Sequence, residues 1–178
     1  MIIDLGCGKY PRQDADVKVD ITKHPHVTHC HDLNVFPYPF GNSVANKIYL
    51  YDVVEHFCIF SISNVIRECH RMLIPGGVLD ITCPDVRWIA DRISKGDWST
   101  RAKGDWLNRY PTPFENAMSY LFGGFYNREE WAQKGMGHIA GYDEATLINV
   151  LKTTCPWTKI QRVPDQRNEC ILRVMAVK

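Results

Sequence analysis

The strongest constraint in this sequence is an alternation. Short apolar runs closing on a glycine or an acid are separated by polar links and by segments of helical period. Residues 2–5 run into Gly6-Cys7-Gly8, residues 17–21 alternate apolar and polar side chains, and residues 47–51 are apolar and β-prone. Residues 27–33 read as a further strand interrupted by histidines. In residues 61–73 the period changes: Ile62, Val65, Ile66, Cys69 and Met72 share one helical face, with Arg67, Glu68 and Arg71 on the other. Pro75-Gly76-Gly77 is placed to end that helix, and residues 78–83 form the next strand. Asp85 can cap a helix running to about Lys95. Residues 143–154 form another helix, and residues 159–163 and 170–177 two closing strands. Strands alternating with helices in this way specify an α/β fold with a mostly parallel, helix-covered sheet.

The length of 178 residues suits a single domain over residues 1–178, with residues 96–141, rich in Trp, Tyr, Gly and Pro, as an insertion after the fifth strand. The net charge of +1 argues against a dedicated nucleic-acid binder, which would show a basic surplus. There is no apolar run long enough for a membrane span. The start, Met1-Ile2-Ile3-Asp4-Leu5-Gly6, lacks the basic and apolar regions of a signal peptide. The seven cysteines are scattered and include no C-x-x-C pair, so reduced thiols in a cytoplasmic protein are expected.

Sheets of this kind bind ligands beyond the carboxyl ends of their strands. Gly6 and Gly8 allow a sharp turn and close approach of a ligand. The third glycine of the dinucleotide fingerprint falls on Pro11, which counts against a nicotinamide oxidoreductase. Asp20 can accept from a ribose diol, and Asp32 with the backbone N–H of Leu33 can read an adenine edge. The fourth strand ends Tyr51-Asp52-Val53-Val54-Glu55-His56.

With these stretches and the run Arg67-Glu68-Cys69-His70-Arg71-Met72-Leu73-Ile74-Pro75-Gly76-Gly77, the sequence resembles the class I S-adenosylmethionine-dependent methyltransferases. The resemblance is closest over residues 2–85. The opening Leu5-Gly6-Cys7-Gly8-Lys9 and the segment His31-Asp32-Leu33-Asn34 are similar to small bacterial and viral members, often found among sugar, polysaccharide or natural-product genes. The resemblance implies a Rossmann-like, mostly parallel seven-stranded sheet with helices on both faces, the last strand antiparallel, and S-adenosyl-L-methionine as cofactor. It places Gly6, Cys7 and Gly8 under the methionine moiety and Asp4 toward its amino group. Asp20 holds the ribose, Ile21 lies on the adenine face, Asp32 and Leu33 read the adenine edge, and Tyr51 and Asp52 lie beside the methyl group, with the Tyr51 ring facing the sulfonium. Three departures stand out: the helix after the first strand is reduced to a loop, Asn46 replaces the usual acid before the fourth strand, and the element that normally precedes the first strand is absent.

Methyl transfer from a sulfonium is an in-line displacement that mainly needs alignment, plus a base where the acceptor is a hydroxyl. His56, Asp52 and His138 are the candidate catalytic residues, with Asp85 a further candidate base. At His56 a structural role, tying the loop to the next helix, outweighs catalysis on sequence grounds. The insertion, with Trp98, Trp106, Tyr110, Phe114, Tyr120, Phe122, Phe125, Tyr126 and Trp131, is the natural acceptor-binding segment, for a small molecule or glycan methylated on oxygen or nitrogen. Lys95, Arg101, Lys103, Arg109 and Arg128 add positive charge there. No N-P-P-Y step follows the fourth strand, which disfavours amino-methylation of DNA bases, and Cys83 reads as a packing residue. No metal ligand set is assigned; His24, His26, His29 and His31 read as a solvated edge. The competing class is a non-catalytic cofactor-binding or scaffold subunit. With no element before the first strand, the insertion closes the site alone or a second subunit of a homo-oligomer helps.

Overall fold

The computed structural model describes residues 1–96, 113–123, 137–167 and 169–178. Strands β1 (Ile2–Leu5), β2 (Val17–Asp20), β3 (His29–Cys30), β4 (Ala45–Tyr51), β5 (Leu73–Pro84), β6 (Lys159–Arg162) and β7 (Ile171–Val177) form one seven-stranded sheet in the order β3-β2-β1-β4-β5-β7-β6. Strands β1 to β5 pair in parallel, and β7 runs antiparallel between β5 and β6. This is the mostly parallel sheet with a reversed last strand that the sequence predicts. The described helices are α1 (Ile62–Met72), α2 (Val86–Lys95), α3 (Pro113–Phe122) and α4 (Glu144–Thr154).

Strand side chains alternate between faces. On one face Ile3, Leu5, Val19, Ile48, Leu50, Leu79, Ile81, Leu172 and Val174 are buried against the apolar stripe of α1 and against Leu147 and Leu151 of α4. On the other side α2 and α3 pack together, with Ile89, Ala117 and Tyr120 against Cys170 and Ile171. Asp85 caps α2 by accepting from the N–H of Trp88 at 3.2 Å, and Asp143 caps α4 by accepting from Thr146 at 2.8 Å.

The middle of this second face carries charge in place of hydrocarbon. Buried Asp80 accepts from Arg173 Nε and Nη2 at 2.9 and 2.8 Å, from Lys47 Nζ at 3.0 Å and from the Tyr51 hydroxyl at 3.1 Å. The Arg12 guanidinium stands 5.3 and 5.2 Å from the ring centroids of Tyr49 and Tyr51, and Lys47 Nζ 4.3 Å from that of Tyr49. Residues 6–16, which link β1 to β2, contain no helix, as expected, and supply Arg12 to this layer.

Two boundaries differ from the sequence reading. β3 is two residues long, not seven, because an exposed edge segment with one neighbour has little apolar surface to hold it. β5 starts at Leu73 and not at Val78. Leu73 turns extended as α1 ends (φ −69°, ψ 140°) and pairs at once with Ala45, so Pro75-Gly76-Gly77 sits in a register break within the strand. The one-turn spacing of Glu68 and Arg71 also gains a structural reason. Arg71 donates to Glu68 at 2.6 and 2.9 Å and to the Phe40 carbonyl at 2.8 Å, and Glu68 accepts from the N–H of Tyr38 at 2.7 Å, which clamps the loop before β4 onto α1. Among the described residues no helix is long and apolar enough to cross a membrane.

Candidate functional site

The strand order switches direction between β1 and β4, which opens a crevice at their carboxyl ends. The N–H groups of Gly6 and Cys7 both donate to the Val19 carbonyl, at 2.8 and 3.0 Å, so the chain folds back over β2 immediately after β1. Gly6 (φ +71°) and Gly8 (φ +54°) are left-handed. A Cβ on Gly6 would lie 2.6 Å from Val53 Cγ2, so the turn passes directly against the end of β4.

The Asp20 carboxylate is built into this turn. Its Oδ2 accepts from the N–H of Gly8 at 2.8 Å and its Oδ1 from Thr22 at 2.7 Å. Each oxygen keeps a second lone pair for an incoming hydroxyl. Ile21, 64% exposed, offers apolar surface alongside. The N–H of His31 donates to the Asp20 carbonyl at 3.0 Å, which brings Asp32 and buried Leu33 to the same rim. Asp32 accepts from the N–H of Asn34 at 2.8 Å. Asp4, 3% exposed, accepts from the N–H of Arg12 at 2.7 Å; burial raises its pKa against the pull of Arg12. Burial also pushes the Cys7 thiol up to about 12, so it is not a thiolate.

Tyr51 and Asp52 are placed differently from each other. The Tyr51 ring face that sequence reasoning offered to a sulfonium is flanked by Arg12, Arg167 and Arg173 at 5.2, 5.2 and 5.8 Å. Asp52 (φ +56°) is at the rim, accepting from Thr82 Oγ1 at 3.2 Å and pairing with Arg167 Nη1 at 3.1 Å.

The next residues form a second constellation. A 3-10 turn at Val54–His56 buries Glu55, and the chain re-entering at Gly137 returns across it. The N–H groups of Ile139 and Ala140 both donate to the Glu55 carbonyl, at 2.9 and 3.1 Å, and Tyr142 bridges to Asp85. His56 Nδ1 bonds the Gly137 carbonyl at 3.2 Å and His138 Nδ1 the Tyr120 carbonyl at 2.8 Å. The two imidazole rings meet edge-on with centroids 5.0 Å apart. Gly123 (φ +65°) lies beside His138, where a Cβ would come within 2.9 Å of its Cδ2. Burial, then the neighbouring His56, lowers the pKa of His138 to about 4; burial also lowers that of His56. Burial, then Asp52, raises that of Glu55 well above the usual carboxylate range.

The structure thus brings together the two histidines singled out in the sequence, with Glu55, which sequence reasoning did not single out, between them. The available signal was a carboxylate next to a histidine in an otherwise apolar turn. Asp85 is drawn off into its helix cap and an ion pair with Arg162 at 3.1 Å. Cys83 is fully buried, and its thiol is held well above the ordinary range by burial, in keeping with packing. The histidine-rich segment does not converge on a shared centre: His26 Nε2 bonds the Gly8 carbonyl at 2.8 Å, and His31 Nε2 that of Val35 at 3.0 Å. Of the insertion aromatics, Tyr120 is buried while Phe114 and Phe122 are exposed. Trp98, Trp106, Tyr110, Phe125, Tyr126 and Trp131 lie outside the described residues, as do Arg101, Lys103, Arg109 and Arg128. Lys95 pairs with Asp91 at 2.8 Å.

No protein-family model matches this sequence, and no curated protein matches it. Solved structures do match. One is the Burkholderia thailandensis 1,6-didemethyltoxoflavin-N1-methyltransferase with bound 1,6-didemethyltoxoflavin and S-adenosylhomocysteine, at TM-score 0.58 and 15% identity, covering 99% of this chain and 70% of that one. An S-adenosylmethionine-dependent methyltransferase from Archaeoglobus fulgidus matches at TM-score 0.58 and 10% identity, over 99% and 85%. Another from Mesorhizobium loti matches at TM-score 0.56 and 14% identity, over 99% and 90%. The chain has the fold of the class I S-adenosylmethionine-dependent methyltransferases.

Proposed function

We propose that this protein is an S-adenosylmethionine-dependent methyltransferase that moves a methyl group to an oxygen or nitrogen of a small-molecule or glycan acceptor. The observation that carries this reading is the left-handed Gly6–Gly8 turn bonded to the Asp20 carboxylate at the switch point of a methyltransferase sheet. The residues present fit the cofactor. Asp20 keeps acceptor capacity for two ribose hydroxyls, Ile21 offers a flat apolar contact, and Asp32 with the N–H of Leu33 lies where an adenine edge would reach. Gly6, Cys7 and Gly8 would pass under the methionine part, with Asp4 toward its amino group and Tyr51 and Asp52 beside the methyl group.

The cofactor supplies a methyl group already activated by a sulfonium, so the protein's task is to align the acceptor and exclude water. Backbone carbonyls only accept, so Nδ1 of His56 and of His138 each carries a proton. Burial lowers the basicity of both rings, and Asp52 is engaged by Arg167, so alignment rather than proton removal is the protein's main contribution. The thiol-rich chain, with Cys7, Cys69, Cys83 and Cys170 buried and not joined in disulfides, suits the cytoplasm.

Calorimetry with S-adenosylmethionine, S-adenosylhomocysteine and NAD tests this reading. Both sulfur ligands are expected to bind and NAD is not; the reverse pattern overturns it. Asp20→Asn is expected to weaken S-adenosylhomocysteine binding by about 1.5–3 kcal/mol, the size of a hydrogen bond to a charged acceptor. Unchanged affinity would mean that the ribose is held elsewhere.

A further inference from the structure

We propose that Glu55, His56 and His138 bind one divalent first-row transition-metal cation of the zinc type. One ligand-type atom from each residue lies within 4.8 Å of the others, and Glu55 Oε1 and His138 Nε2 are 3.9 Å apart. A four-coordinate zinc holds its nitrogen and oxygen ligands at about 2.0–2.2 Å, which sets them roughly 3.4 Å from one another. Side-chain rotations of about 1 Å close that difference.

The second observation is the Glu55 carboxylate itself. It is 2% exposed, and neither oxygen has a hydrogen-bond partner. Buried carboxylate oxygens are almost always satisfied, and one left bare in a native protein calls for an occupant. A cation between Glu55 and the two imidazoles satisfies it directly.

The third observation is how the histidines are held. Each commits Nδ1 to a backbone carbonyl, Gly137 for His56 and Tyr120 for His138, and Nε2 of His138 faces Glu55 Oε1 at 3.9 Å. Metal-ligating histidines are oriented in this way, with the second ring nitrogen donating to a carbonyl or carboxylate. Gly123 leaves room beside the His138 ring that a Cβ would fill, at 2.9 Å from Cδ2 and 3.0 Å from Nε2. Two neutral imidazoles with one carboxylate and no thiolate suit zinc, cobalt or iron better than magnesium or calcium, which prefer all-oxygen shells. Three protein ligands leave a coordination position open to solvent or a substrate oxygen, as in catalytic rather than structural zinc sites.

Ion binding is measured without cofactor or acceptor, so this site stands or falls independently of the methyltransferase reading. The full chain, stripped with a chelator, is titrated with Zn²⁺ by calorimetry and with Co²⁺ by visible absorption. One equivalent of Zn²⁺ is expected to bind and to raise the melting temperature. Glu55→Gln and His138→Ala should each weaken binding by on the order of 100-fold. The combined His24→Ala, His26→Ala and His29→Ala variant should bind as the parent does. The Co²⁺ spectrum should lack a thiolate charge-transfer band. Unchanged Zn²⁺ affinity in Glu55→Gln, loss of binding in the surface-histidine variant, a thiolate band, or binding of Mg²⁺ in preference to Zn²⁺ would each overturn the proposal. Where His138→Ala does not fold, Glu55→Gln, which preserves side-chain volume, decides alone.

Discussion

Asp80→Ala is expected to lower the free energy of unfolding by about 3–5 kcal/mol, the usual cost of removing one partner from a buried ion pair. The carboxylate is fully buried and receives four hydrogen bonds from Arg173, Lys47 and Tyr51, so its loss strands two cations on a half-buried sheet face. Urea unfolding of the variant measures the effect, and a loss under about 1 kcal/mol would reduce this layer to an ordinary surface pair. The effect carries a pH signature. Burial pushes the Asp80 carboxyl up, but Arg173 and Lys47 outweigh it, so its pKa ends below the ordinary 3.8. A carboxylate depressed in the folded state contributes stability above its unfolded pKa and loses it as the pH falls through its folded value. The gap between parent and variant should therefore be full near neutrality and narrow on acidification below about pH 4.

Gly6→Ala is expected to destabilise by about 2–5 kcal/mol, from two sources. The left-handed backbone at φ +71° costs an alanine roughly 1–2 kcal/mol. The added Cβ, 2.6 Å from Val53 Cγ2, forces repacking in a filled core at about 1–3 kcal/mol. A double-mutant cycle separates the two. Val53→Ala should recover the steric share and leave the backbone share, giving a favourable coupling of about 1 kcal/mol or more. Strict additivity would show that the turn does not bear on Val53. Because Gly8 in the same turn donates to Asp20, Gly6→Ala should also weaken S-adenosylhomocysteine binding.

These two positions differ in how much the sequence discloses. Gly6 stands at the end of an apolar run, and its turn, strands β1, β2 and β4, helix α1 and the capping acid Asp85 all follow from local pattern. Asp80 looks like any polar residue in a strand, because its partner Arg173 lies 93 residues away and only the β5–β7 register brings them together. The same holds for the second constellation: His56 meets the carbonyl of a residue 81 positions later, and nothing local in Glu55 tells that its carboxylate is buried bare. Periodicity sees contacts within a turn or along a strand. It does not see which distant loops a sheet edge collects.

The return of the chain from Gly137 to Tyr142 has an evolutionary consequence. Backbone hydrogen bonds fasten this stretch to Glu55 and to Val86, while the Tyr120 and Phe122 carbonyls at the end of α3 hold His138 from the preceding helix. On the departing side, α2 is capped by Asp85 and closed by left-handed Gly96. His138 is thus held from two sides, by the turn after β4 and by α3. A change in α3 is therefore felt at His138 as well as in the α2–α3 core, so this helix and the Glu55–His56–His138 cluster are expected to vary together.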